Sequence, residues 1–354
     1  MDTKELTKSE FRTGILICGH GSRHDSALIE FSELVKKIGQ RLPGVQVEYG
    51  YLEFALPTIS QALDKLKRNS VTHVIAIPAM LFAAGHAKND IPSILKSYSL
   101  ETGLKIEYGR ELGINSLMIG AAGARIKESL DLCSKFQESE TLLAVVGRGS
   151  SDPDANSNVS KITRMLVECL GLGWGETLYS GITFPLVEPG LRHLVKLGYK
   201  RIVVFPYFLF SGVLVNRVLA HTLKVASEFP DIEFINAGYL SSHSLVVDTF
   251  VERIDEVING HNLMNCSLCK YRSDLLGFES EVGTIQTSHH HHVEGLNSQC
   301  ERCGDSSCKC NEGTEQLINK NSENESSNHH HKHEHTHPKY KNSEHPLGPV
   351  TLRN

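Results

Sequence analysis

The sequence predicts an α/β protein of two tandem lobes, each a parallel sheet flanked by helices, followed by a largely disordered C-terminal tail. Three observations carry this. Short apolar runs alternate with helical patterns up to about residue 260. The chain matches itself when shifted by 128 residues. Its composition then changes abruptly near residue 261.

The first lobe, 1–137, opens with Gly14–Cys18, an apolar run expected of a strand buried on both faces. Val45–Leu52, Val71–Ala79 and Leu104–Tyr108 read as the next three strands. Helical patterns fill the gaps, at about Ser26–Arg41, Thr58–Lys67, Asn89–Glu101 and Asn115–Phe136. The second lobe, 138–260, repeats the series, with strands near 142–146, 177–183, 200–208 and 232–237. At the 128 offset Gly19, Gly21 and Ser22 fall on Gly147, Gly149 and Ser150, Pro78 on Pro206, and Arg125 on Arg253. A repeat this long is a duplicated domain rather than a solenoid unit.

The tail, 261–354, holds six of the nine cysteines and twelve of the nineteen histidines, in a background rich in Ser, Asn, Glu and Lys. Such a segment buries too little apolar surface to order itself without a metal or partner. The whole chain has 36 basic against 41 acidic residues, and that balance argues against a dedicated nucleic-acid binder. Its longest apolar run, Val74 to Gly85, contains Pro78 and falls short of the roughly 20 residues a membrane span needs. Met1 to Leu6 shows no signal-peptide pattern, so a cytoplasmic protein is expected, where clustered cysteines suggest metal rather than disulfides.

Ligands of parallel sheets bind beyond the carboxyl ends of the strands. After the first strand comes Gly19-His20-Gly21-Ser22-Arg23, which lacks the third glycine of a dinucleotide fingerprint. Glu53 follows the second strand and His86 the third. The three can converge, and two imidazoles with a carboxylate can hold a divalent metal or accept protons near neutral pH. Taken singly, a histidine at a strand end is ordinarily structural. Yet at the 128 offset His20 becomes Arg148 and His86 becomes Leu214, although the flanking Gly-Ser is kept. A purely structural role would call for both copies, so the pattern points to one asymmetric site in the first lobe.

These segments, with Leu52-Glu53-Phe54-Ala55-Leu56-Pro57 and Gly85-His86…Asp90-Ile91-Pro92, resemble the class II chelatases of the sirohydrochlorin chelatase type. The long, duplicated CbiX/SirB-type form is the nearest match, over about residues 12–260. The resemblance implies two Rossmann-like lobes and insertion of Co²⁺ into sirohydrochlorin towards cobalamin, or of Fe²⁺ to give sirohaem. It assigns His20 and His86 as the active-site histidines that meet the substrate metal, with Glu53 as a third group. The anionic macrocycle needs cationic partners. Of Arg23, Lys88, Arg148 and Arg217, all near strand ends, Arg23 and Arg148 are singled out. A metal or tetrapyrrole carrier on the same fold is the main alternative, and a two-lobe solute binder a more distant one.

In the tail, Cys266-x-x-Cys269 is followed by Cys300-x-x-Cys303 and Cys308-x-Cys310. Thiolates bind zinc or iron–sulfur clusters. The gap between the two CxxC pairs exceeds the usual zinc-ribbon spacing of about 15–20 residues. Met264-Asn265-Cys266-Ser267-Leu268-Cys269 matches an M-x-C-x-x-C pattern of the long chelatases, and the resemblance favours a cluster. With six cysteines available, the ligand set stays open, as does a homodimer bridged by the tail. His289–His292 and the interrupted run from His329 to His337 read as a store for Co²⁺ or Ni²⁺, which tips the choice of metal towards cobalt.

Overall fold

The computed structural model describes residues 12–132, 136–261 and 266–283. The first repeat runs β1 (Thr13–Gly19), α1 (Asp25–Arg41), β2 (Gln46–Tyr51), α2 (Ile59–Arg68), β3 (His73–Pro78), α3 (Ile91–Thr102), β4 (Lys105–Tyr108) and α4 (Ser116–Leu130). The second runs β5 (Thr141–Gly147), α5 (Pro153–Leu170), β6 (Trp174–Tyr179), α6 (Val187–Leu194), β7 (Arg201–Pro206), α7 (Val213–Glu228), β8 (Glu233–Asn236) and α8 (Ser244–Ile258). Each repeat forms a parallel four-stranded sheet, in the orders β2-β1-β3-β4 and β6-β5-β7-β8. The central strands β1 and β5 are buried almost end to end, which is why they read as unbroken apolar runs.

Local signals mark the helix starts. Thr58 and Gln61 form a reciprocal capping box, Thr58 Oγ1 accepting from Gln61 N at 3.3 Å and Gln61 Oε1 from Thr58 N at 2.9 Å. Asp152 caps α5, with Pro153 in the first turn, where its missing N–H costs nothing.

Two elements differ from expectation. The strand predicted at 177–183 ends at Tyr179, because the chain turns there: Ile182 takes a positive φ and Phe184–Pro185 is cis. The 128-residue image of β2 lands on Trp174–Tyr179, the strand observed. The helix predicted to reach Phe136 stops at Leu130, and Leu132 beyond it is exposed.

The repeats are consecutive in the chain but interlocked in space. Helix α8 of the second repeat packs on β3 and α1 of the first, and α4 of the first packs on β8 and α5 of the second. Arg253 on α8 donates to Glu111 O at 3.1 Å and Leu112 O at 2.9 Å. Its duplicate on α4, Arg125, donates to Leu240 O at 3.4 Å, and Leu240 is the duplicate of Leu112. One continuous apolar core accordingly includes Ile15 and Ile75 of one sheet with Leu143 and Val203 of the other. Separate cores fill the outer side of each sheet. Among the described residues, no helix is long and apolar enough to cross a membrane.

Candidate active site

The carboxyl ends of the two sheets meet at a cleft of about 720 Å³, lined by both repeats. Its wall is largely apolar and aromatic, including Phe54, Met80, Phe82, Tyr207 and Phe210. Phe82 and Tyr207 stack across the repeats, with centroids 5.7 Å apart and planes at 18°.

His20 is held by the backbone around it. Gly21 has φ 95°, and a Cβ there would lie 1.7 Å from Glu53 O, so only glycine fits. That close approach lets Leu52 N donate to Gly19 O and Glu53 N to His20 O, each at 2.9 Å. The turn after β1 is thus laced to the turn after β2, which seats His20 beside Glu53. The same turn recurs at Gly149, with φ 86° and Gly181 O only 2.0 Å from its virtual Cβ. There, however, Arg148 and Gly181 stand where the first repeat has His20 and Glu53.

Among the described residues, His20, Glu53 and His86 form a group whose ligand atoms all lie within 4.8 Å of one another. His20 Nε2 is 3.9 Å from Glu53 Oε2, and the two imidazole centroids are 4.8 Å apart with planes at 78°. Glu53 is buried, while both imidazoles reach the cleft. Hydrogen bonds assign the tautomers. His20 Nδ1 lies 3.0 Å from Gly21 O, and a carbonyl can only accept, so Nδ1 carries the proton. His86 Nδ1 lies 2.7 Å from Asp90 Oδ2, and an ionised Asp90 likewise accepts from it. Both rings therefore offer an Nε2 lone pair, the arrangement of metal-binding histidines oriented by outer partners.

Asp90 was missed in the sequence as a functional group. Its second oxygen accepts from Asn89 Nδ2 at 2.9 Å, so the carboxylate is itself held. The signal was present, because residues four apart meet on a helix face and Asp90 follows His86 by four. His86–Asp90 forms a single π-turn leading into α3.

Of the cationic candidates, Arg23 and Arg148 line the cleft. Arg23 sits over the Phe54 ring, 5.0 Å from its centroid. Surrounding protein pulls the Arg148 pKa below the usual guanidinium range, and the Glu53 carboxylate opposes that pull. Lys88 is instead buried against Asp152 and Asp154, and Arg217 reaches Ser180 O at 3.5 Å outside the cleft lining. Of the tail cysteines, Cys266 is exposed and Cys269 buried, with Arg272 Nη1 3.3 Å from the Cys269 sulfur. Cys300, Cys303, Cys308, Cys310 and both histidine runs lie outside the described residues.

Comparison with known proteins bears on the family and the fold. The CbiX family model matches twice, over residues 14–129 and 142–257. The chain is 35% identical over 268 residues to a sirohydrochlorin cobaltochelatase of Priestia megaterium, covering 75% of this chain and 87% of that protein. It is 30% identical to a sirohydrochlorin ferrochelatase of the same organism, covering 68% of this chain and 89% of that one. The solved structure of SirB from Bacillus subtilis with Fe³⁺ superposes with a TM-score of 0.63 at 26% identity, over 71% of this chain and 98% of that one.

Proposed function

The chain belongs to the CbiX family, and we propose on that footing that it is a sirohydrochlorin cobaltochelatase, placing Co²⁺ in the macrocycle. The observation that carries this reading is the His20–Glu53–His86 group, whose ligand atoms lie within 4.8 Å of one another beside a largely apolar cleft of about 720 Å³. Metal insertion exchanges two pyrrole N–H protons for one M²⁺. A neutral imidazole can serve first as a ligand and then as a proton acceptor. Asp90 stabilises the imidazolium form of His86 when the proton arrives, and Glu53 offsets the charge of the incoming ion. Holding ion and macrocycle together removes the entropy of a three-body encounter.

Cobalt is favoured over iron by the higher identity to the cobaltochelatase and by the histidine-rich tail. Anaerobic incubation with sirohydrochlorin, followed by absorbance with Co²⁺ and Fe²⁺ in parallel, tests the assignment. Insertion well above the uncatalysed rate, faster with Co²⁺, is expected. Faster insertion of Fe²⁺ would make the protein a ferrochelatase, and no rate with either ion would leave a carrier.

Sirohydrochlorin is a polycarboxylate, and Arg23 and Arg148 are its proposed anchors, since a guanidinium binds carboxylate in a forked pair. Arg23→Ala or Arg148→Ala should raise the KM for the macrocycle about tenfold, the scale of one lost charge-assisted hydrogen bond, and the KM for metal much less. Equal rises in both constants would contradict the assignment.

The tail is proposed as a metal-holding arm. Cys266 and Cys269, with Cys300, Cys303, Cys308 and Cys310, supply thiolates for an iron–sulfur cluster or zinc, and the histidine runs collect Co²⁺ for delivery. Deleting the residues after 285 should leave turnover intact at saturating Co²⁺ and reduce it at limiting Co²⁺. The same deletion should remove thiolate-bound metal or acid-labile sulfide from the purified protein. Unchanged turnover at limiting Co²⁺ would refute delivery, and unchanged metal and sulfide content would refute the thiolate site.

A further inference from the structure

Lys88 lies on the π-turn that carries His86, two residues further on, and it is 3% exposed. Its ammonium is 2.7 Å from Asp152 Oδ2 and 3.1 Å from Asp154 Oδ2, both in the other repeat. Asp152 uses its remaining oxygen to accept from Asp154 N at 3.1 Å at the start of α5. The helix that carries His86 is therefore bonded to the first turn of a helix in the second repeat. Three residues of the 266–283 segment approach the junction. A small cavity of about 20 Å³ separates Lys88, Glu111 and Asp154 from Cys266, Cys269 and Arg272.

Both halves of this contact are specific to one copy. The second repeat has Asn216 in place of Lys88, and the first has His24 and Ser26 in place of Asp152 and Asp154. The π-turn is also confined to the first repeat, since the matching residues Leu214–Val218 run inside the regular helix α7. A feature needed only to build the fold would recur in both copies. A buried ion pair is moreover a poor stabiliser compared with packed apolar residues, because desolvation cancels most of its attraction. What it does well is select one geometry. Single π-turns inside helices concentrate at functional sites.

We infer that Lys88 is a positioning residue: its buried bonds to Asp152 and Asp154 fix the π-turn against the second repeat and so set His86 at metal-binding distance from His20 and Glu53. The inference rests on the chelatase reading only in that the three side chains bind a divalent ion.

The test uses Co²⁺ alone, without macrocycle, on the full chain. Visible absorbance is titrated in wild type and in His86→Ala, and the difference isolates cobalt held by the three side chains from cobalt on the tail. Outer partners of metal ligands are typically worth about 10–100-fold in metal affinity. Lys88→Met should therefore weaken the difference component about tenfold or more and alter its band shape. Lys88→Arg, which keeps the charge, should restore part of the affinity. Should Lys88→Met fail to fold, Asp154→Ala removes the longer bond alone and should show the same effect in smaller measure. A lowered melting temperature with an unchanged difference component would overturn the inference and leave Lys88 a structural ion pair. Because no insertion is measured, a failure of the chelatase reading would appear separately, as wild-type cobalt binding without turnover.

Discussion

Replacing His86 by alanine is expected to lower cobalt insertion about 10²–10⁴-fold, the range ordinarily carried by one positioned proton-transfer group. His20→Ala should fall in the same range. The double variant should be little worse than either single one, because residues that act as a unit are not additive. The reasoning is geometric. Each ring has its Nδ1 engaged, by Gly21 O for His20 and by Asp90 for His86, so each contributes one Nε2. Loss of either leaves Glu53 and a single imidazole, too few ligands to hold the ion against water. Both imidazoles are partly exposed to the cleft, with side-chain exposures of 30% and 21%, so truncation should leave the fold intact. Circular dichroism with steady-state rates checks this. Activity within a few fold of wild type in both variants would remove these histidines from the chemistry.

The second large effect concerns stability. Arg253→Ala is expected to cost about 3–5 kcal/mol, the usual consequence of breaking a buried charged network by removing one partner. Its side chain is fully buried, donates to two backbone carbonyls of the first repeat, and pairs with Glu256. Its removal takes the guanidinium from those carbonyls and leaves the Glu256 carboxylate to Arg110 alone. Arg125 holds the same place in the duplicate, but its side chain is 25% exposed and its reach to Leu240 O is longer. Arg125→Ala should therefore cost only about 1 kcal/mol, in the range of a solvent-facing pair. Urea unfolding of the two variants side by side measures the difference. Equal small losses would mean that the interlocking of α4 and α8 does not depend on this arginine.

Much of the architecture is legible in the chain because it is written twice. The strands are short, apolar and buried on both faces, and the 128-residue offset aligns them without a gap. His20 and His86 stood out for the opposite reason: the duplicate discards both while keeping Gly19, Gly21 and Ser22 beside the first, whereas Glu53 stood out by following a strand end. The exchange of α4 and α8 left no readable trace. It depends on contacts more than a hundred residues apart, and an amphipathic helix does not reveal which sheet it covers. The π-turn was hidden too, since the helical pattern begins only at Asn89 and His86 reads as a residue beyond a strand end. Lys88 was counted among the cleft cations because it follows a strand end, but two carboxylates from the other repeat draw it inward. A charge's partner across 64 residues cannot be read from local spacing.

Cobalt-edge anomalous diffraction from a Co²⁺-loaded crystal bears most directly on the proposed site. A peak bonded to His20 Nε2, His86 Nε2 and the Glu53 carboxylate is the expected result, with tail histidines free to bind further ions. Cobalt bound elsewhere on the chain, with no peak among these three side chains, would contradict it.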